Sequence, residues 1–279
     1  MIFVAVMVGC GSGSPASPVA AAGSGLNGNW LITGTLPFSD PLNFGNHAFG
    51  TSMTFTLVGN QFSAGGSENI PCSAGLVIGG GVVLTGTLAA DGTLSAQSTQ
   101  GAAPLPSLTL TGTGPAAGAS NWTGTYTYTS TGGSCPLTVT GPFTAMRIAD
   151  VTGTYAPAAP VQLTPSSLGA TPQTVTPAFS FVQGATLPGT TQFDPELLSG
   201  SVQIQGSSCF KSGAAAGVAG SGLLGSTFVT SFTLNDGSTV SFVGDIEDTG
   251  ATRLVIHSLL FSGGACGTIS SGPFELVKQ

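Results

Sequence analysis

The chain has 279 residues, 5% of them charged, and a formal net charge of −7 at pH 7, against roughly 25% charged in an average soluble domain. Its four basic residues, Arg147, Lys211, Arg253 and Lys278, are scattered, which excludes a phosphate-neutralising nucleic-acid surface and an electrostatic grip on anionic membranes. No stretch approaches the ~18 consecutive apolar residues of a spanning helix. The 16 Phe residues and many β-branched residues, in short alternating runs, supply a core that a disordered chain lacks.

The N-terminal run Met1 to Gly9 is apolar and ends in a small residue before Cys10; the Gly/Ser/Pro/Ala tract that follows suits a flexible tether. Met7-Val8-Gly9-Cys10 resembles the lipobox of bacterial lipoproteins, with Met7 where Leu is commoner. The resemblance implies cleavage after Gly9, lipid attachment at the Cys10 thiol and a place in the cell envelope, at the outer membrane or facing the periplasm. Residues 1–9 then form a signal peptide and 10–25 a tether. No basic segment precedes the apolar run, which points to a translation start upstream of Met1.

From Leu26 onward the pattern has a period of two. Met53 to Leu57, Thr125 to Tyr128, Val175 to Val182, Thr227 to Leu234 and Thr239 to Val243 alternate apolar with polar residues, which predicts half-buried antiparallel strands. Asp91-Gly92 and Asp236-Gly237 predict tight turns, because Gly accepts positive φ. Ala156 to Pro177 is Pro-rich and reads as a long surface loop. Ala214 to Val218 comes nearest to a helical period, but its glycines make it a loop.

The chain repeats itself. Gly132 to Ile148 aligns without gaps on Gly263 to Gln279, matching Cys135 with Cys266 and Arg147 with Lys278; Leu26 to Trp30 corresponds to Val151 to Tyr155. This predicts two β domains, residues 26–148 and 149–279, each a meander barrel or a small sandwich. One half carries Cys72 and Cys135 and the other Cys209 and Cys266. Four cysteines allow three pairings, and a duplicated domain most simply closes its own bridge. The expectation is Cys72–Cys135 and Cys209–Cys266, with Cys10 left for a separate fate. Zinc is disfavoured, since no two cysteines are near neighbours.

Gly28-Asn29-Trp30 at the start of the first copy resembles the Gly-x-Trp signature of lipocalins and other calycin barrels. The resemblance implies that Trp30 closes one barrel end beneath a basic residue of the last strand. Arg147 is placed for that role, with Tyr155 and Lys278 as the degenerate pair of the second copy. The whole chain also resembles Gly/Thr-rich bacterial lipoproteins with Gly-x-Trp starts and Gly-Gly-x-Cys ends, a resemblance that implies no activity.

Residues that carry chemistry are sparse. His47 lies in a Gly/Asn loop and His257 in the apolar run Arg253 to Phe261; a triad needs a histidine between a nucleophile and an acid, and the plainer reading is one loop and one strand histidine. Gly220 to Gly225 matches Gly-x-Gly-x-x-Gly but precedes a strand-like run where a dinucleotide site needs a helix. Asp245, Glu247 and Asp248 are few for a calcium loop and read as a solvated hairpin end. Asn121-Trp122-Thr123 matches a glycosylation sequon but reads as strand.

No catalytic residue, metal or cofactor is expected. The expectation is an all-β, membrane-anchored envelope lipoprotein with a binding or structural role and no enzymatic activity. Alternatives are glycan binding through Trp122, Tyr126 and Tyr128, or carriage of a small apolar ligand in a hollow barrel. Phe55, Phe179, Phe181, Phe232 and Phe242 favour a filled core. A hydrolase built on His257 ranks last.

Overall fold

The computed structural model describes residues 25–35, 48–71, 77–98, 107–130, 137–165, 172–186, 196–215, 222–263 and 267–279. Cys10, His47, Cys72, Cys135 and Cys266 lie outside the described residues, as do residues 1–24, where the signal peptide and tether are expected. Among the described residues all regular structure is β, in two tandem closed antiparallel barrels of eight strand positions each.

The first barrel is a simple meander: β1 (Gly28–Thr35), β2 (Ala48–Val58), β3 (Gln61–Pro71), β4 (Val77–Leu88), β5 (Thr93–Ser98), β6 (Ser107–Thr113), β7 (Asn121–Ser130) and β8 (Leu137–Arg147). Pairing of β1 with β8 closes it, Trp30 standing opposite Arg147. Closure leaves no open edge. Alternation sends Trp30 and Ile32, Met53 and Phe55, Leu108 and Leu110, and Tyr126 and Tyr128 inward, all at 1% exposure or less. The Thr and Ser residues between them mostly face outward.

The second barrel uses β9 (Gly153–Pro157), β10 (Val161–Pro165), β11 (Gln173–Thr186), β12 (Glu196–Gln205), β13 (Gly213–Ala215), β14 (Gly222–Leu224), β15 (Thr227–Leu234), β16 (Thr239–Ile246), β17 (Arg253–Ser262), β18 (Ile269–Ser271) and β19 (Phe274–Lys278). Three of its eight positions are split in two. Strands β9 and β10 share the place of β1, both pairing with β11. Strands β18 and β19 share that of β8, both pairing with β17. Strands β13 and β14 both bridge β12 to β15. The breaks fall at prolines, Pro157 and Pro160 in one case and Pro273 in another, where a missing N–H interrupts the ladder.

The Pro-rich segment is therefore not the single surface loop expected. Val161 and Leu163 turn inward on β10, and Gln173 onward is β11. Prolines tolerated at strand ends conceal strand sequence when composition alone is read. Gly213–Ala215 is likewise a short strand. Both Asp-Gly turns form, with Gly92 and Gly237 at φ of 87° and 83°. They occupy different hairpins, β4–β5 and β15–β16, one step apart around the barrel. Of the Gly-x-Gly-x-x-Gly match, Gly220 and Ser221 lie outside the described residues, and Gly222 to Gly225 form β14 and the start of the turn to β15.

Among the described residues, buried aromatic and aliphatic side chains pack both interiors. In the first, Trp122 meets Trp30, Phe55 and Phe143 edge to face at centroid distances of 6.2, 6.2 and 4.9 Å. In the second, Phe179, Phe181, Phe228, Phe232 and Phe242 form one mutually contacting cluster. Such rings bury ~150 to 250 Å² each and dominate core energetics.

Candidate functional site at the barrel junction

In each barrel a glycine, an aromatic and a cation close one end. Arg147 places its guanidinium 4.7 Å over the Trp30 ring and donates to the Gly25 carbonyl; the indole N–H donates to the Leu26 carbonyl at 2.8 Å. Gly28 has φ +114°, and a Cβ there would lie 2.9 Å from Arg147 Nη1. In the second barrel Lys278 sits 5.6 Å over the Tyr155 ring, and Gly153 at φ +147° leaves room for the Lys278 stem. Only glycine satisfies both the backbone and the space. The buried Tyr155 hydroxyl donates to the Ala251 carbonyl at 2.7 Å. Burial, helped by the charges of Asp150 and Asp248, pushes its pKa up to about 12.

The Arg147 end of the first barrel abuts the second barrel, and a polar network crosses the junction. Asn29 Nδ2 donates to Glu196 Oε2 at 2.5 Å, and Gln183 Nε2 donates to the same oxygen. Thr54 Oγ1 donates to Asn29 Oδ1 at 2.5 Å and accepts from the Gly225 N–H at 2.8 Å. Ser226 Oγ donates to Ser52 Oγ at 2.9 Å, and the Val151 N–H donates to Gln183 Oε1 at 2.9 Å. Gly225, at φ +63°, brings its turn so near β2 that a Cβ would meet Ser52 backbone at 2.5 Å. Leu31, outward on β1, packs against the core of the second barrel.

Beside this network lies a cleft of about 630 Å³ whose polar lining includes Asn29, Arg147, Asp150, Gln183 and Glu196. Glu196 is 8% exposed. Burial raises its pKa, opposed by the Asn29 and Gln183 amides and by Arg147, and reinforced by Asp150. Burial also lowers the pKa of Arg147, which the Glu196 charge offsets in part. A carboxylate held by two amides is positioned as a joint between barrels, with both bonds spent on one oxygen.

Sequence reading missed Asn29, Gln183 and Glu196. Asn29 is the middle residue of Gly-x-Trp, and strand alternation puts it outside the barrel; its 2% exposure comes from the second barrel. Glu196 opens β12 with no local mark of burial.

The other sequence-derived sites are distributed over both barrels. Trp122, Tyr126 and Tyr128 all face inward at 5% exposure or less. They form core, so sugar stacking on an outer face through these rings is ruled out. Asn121-Trp122-Thr123 begins β7. His257 is on β17, half-exposed, with Nε2 2.6 Å from Asp245 Oδ2, while Thr227 Oγ1 donates to Asp245 Oδ1 at 2.6 Å. Here the acid stands between hydroxyl and imidazole, whereas a triad needs the imidazole in the middle. Glu247 pairs with Arg253 at 2.7 Å, and Asp248 caps its turn through the Thr252 N–H. The three acids thus have separate partners, and no metal-binding group of three is found among the described residues. Cys209 is disulfide-bonded, its partner lying outside the described residues.

No protein-family model matches this chain, and no curated protein matches it in sequence.

Proposed function

We propose that this protein is a lipid-anchored protein of the cell envelope, held through Cys10, whose two barrels serve a non-catalytic binding or structural role. The observation that carries the role is the packing of aromatic side chains inside both barrels. A carrier of small apolar ligands needs an internal cavity, and here aromatic rings occupy that space. The junction around Glu196 supports a structural role, because its hydrogen bonds couple the two barrels. Function is then left to the outer surfaces, displayed from a membrane tether.

Two measurements test this. Cys10→Ala is expected to move the protein from the membrane to the soluble fraction; unchanged fractionation defeats the anchor. A fluorescent fatty acid is expected not to bind the purified protein, and saturable binding displaced by unlabelled fatty acid defeats the filled-barrel reading.

A further inference from the structure

The outer face of the first barrel carries rows of neutral hydrogen-bonding groups. Cross-strand register aligns Ser63, Thr85, Gln97, Thr109, Thr127 and Thr140 into one row across β3 to β8. A second row runs beside it from Gln61 on β3 to Thr125 on β7. Neighbours within a row stand ~4.8 Å apart and rows ~7 Å apart, by strand geometry. Over β3 to β6 the lattice sinks into a groove of about 730 Å³, where Gln61, Thr85, Thr87, Ser95 and Gln97 are exposed.

The two copies differ in charge. Residues 26–148 hold four charged side chains, Asp40, Glu68, Asp91 and Arg147, and residues 149–279 hold eleven. The described lining of the groove includes no charged residue. Thr144, opposite Thr33 and Thr123 in the first barrel, aligns with Glu275 of the second, which pairs with Arg253, itself paired with Glu247. The same scaffold position thus carries a neutral hydroxyl in one copy and an ion-paired carboxylate in the other.

A groove whose described lining is hydroxyls and amides beside Val58, Phe62 and Ala96, with no charged side chain, offers an anionic polymer no counter-ion. It matches a chain whose own hydroxyls repeat as donors and acceptors. We propose that the groove over β3 to β6 binds a neutral polysaccharide, an assignment that rests on the binding role proposed above. Gln61 and Gln97, with paired amide donors and acceptors, supply the orienting contacts, and Thr85, Thr87 and Ser95 the hydroxyl contacts.

The test is retention of the purified full-length chain on insoluble cellulose, chitin and mannan, with heparin as the anionic comparison. Retention is expected on at least one neutral polymer and not on heparin, unchanged between about 0.05 and 0.5 M salt, because no ion pair is made. Gln97→Glu and Thr85→Lys, with unchanged circular dichroism and melting, are expected to weaken it at least about tenfold. Arg253→Ala on the other barrel is expected to leave it unchanged. The proposal is overturned if no neutral polymer retains the chain, or if retention survives both groove substitutions. It is equally overturned if Gln97→Glu instead abolishes self-association, which would make the face a contact between two copies. Membrane fractionation of Cys10→Ala is read separately, so failure of the groove is distinguishable from failure of the anchor.

Discussion

Arg147 on the last strand of the first barrel stands opposite Trp30 on the first strand and caps its indole at 4.7 Å. Lys278 stands to Tyr155 in the same way in the second barrel, at 5.6 Å. Each pair sits at the seam where the ring of strands closes, so it fastens the two ends of a barrel.

Arg147→Ala is expected to destabilise the first barrel by about 2 to 3 kcal/mol, combining a desolvated cation–π contact with the Gly25 carbonyl left unpaired. Lys278→Ala is expected to cost less, about 1 kcal/mol, because its contact is longer and made by an ammonium. Urea unfolding of both variants checks the order; an equal or reversed ranking contradicts it.

Gly28→Ala forces a side chain into φ +114° and against the Arg147 guanidinium. The expected loss is about 1 to 3 kcal/mol. Combined with Arg147→Ala, the loss is expected to fall short of the sum, since the steric part needs the arginine. A double-mutant cycle by thermal melting measures the difference.

Glu196 has a pKa raised in the folded state above its ordinary 4.5, mainly by burial. Between those two values the folded chain binds more protons than the unfolded one. The contribution of Glu196 to stability is therefore full below 4.5 and is lost as pH rises through the folded-state value. Glu196→Gln keeps an acceptor for both amides and removes the buried charge. It is expected to be more stable than the parent at neutral pH, with the advantage shrinking toward pH ~4. Urea denaturation at both ends of that range decides it. Glu196→Ala strands the Asn29 and Gln183 amides and is expected to cost about 1 to 3 kcal/mol.

Cys209 is already in a disulfide. The repeat makes Cys266 its expected partner, with Cys72 joined to Cys135. Each bridge closes a loop of about 60 residues, worth ~4 kcal/mol in the chain-entropy model. Non-reducing peptide mapping is expected to show these two links. A Cys72–Cys209 link contradicts a bridge within each barrel, and reduction is expected to lower both melting transitions.

The all-β class, the duplication and the strand positions of Trp30, Arg147, Tyr155 and Lys278 are legible in the sequence. Alternation, turn residues and a gapless repeat are local signals, and they specify which residues share a strand face. Whether Trp122 and Tyr126 faced inward or outward was not legible, because a period of two is the same from either side. The tertiary structure decided that by closing the barrel around them. It also decided the junction. Asn29 and Glu196 lie 167 positions apart, and neither carries a local mark of burial, since what buries each is the other barrel. Chain chemistry determined two scaffolds and the seams that close them; only packing one scaffold on the other placed a single carboxylate between them.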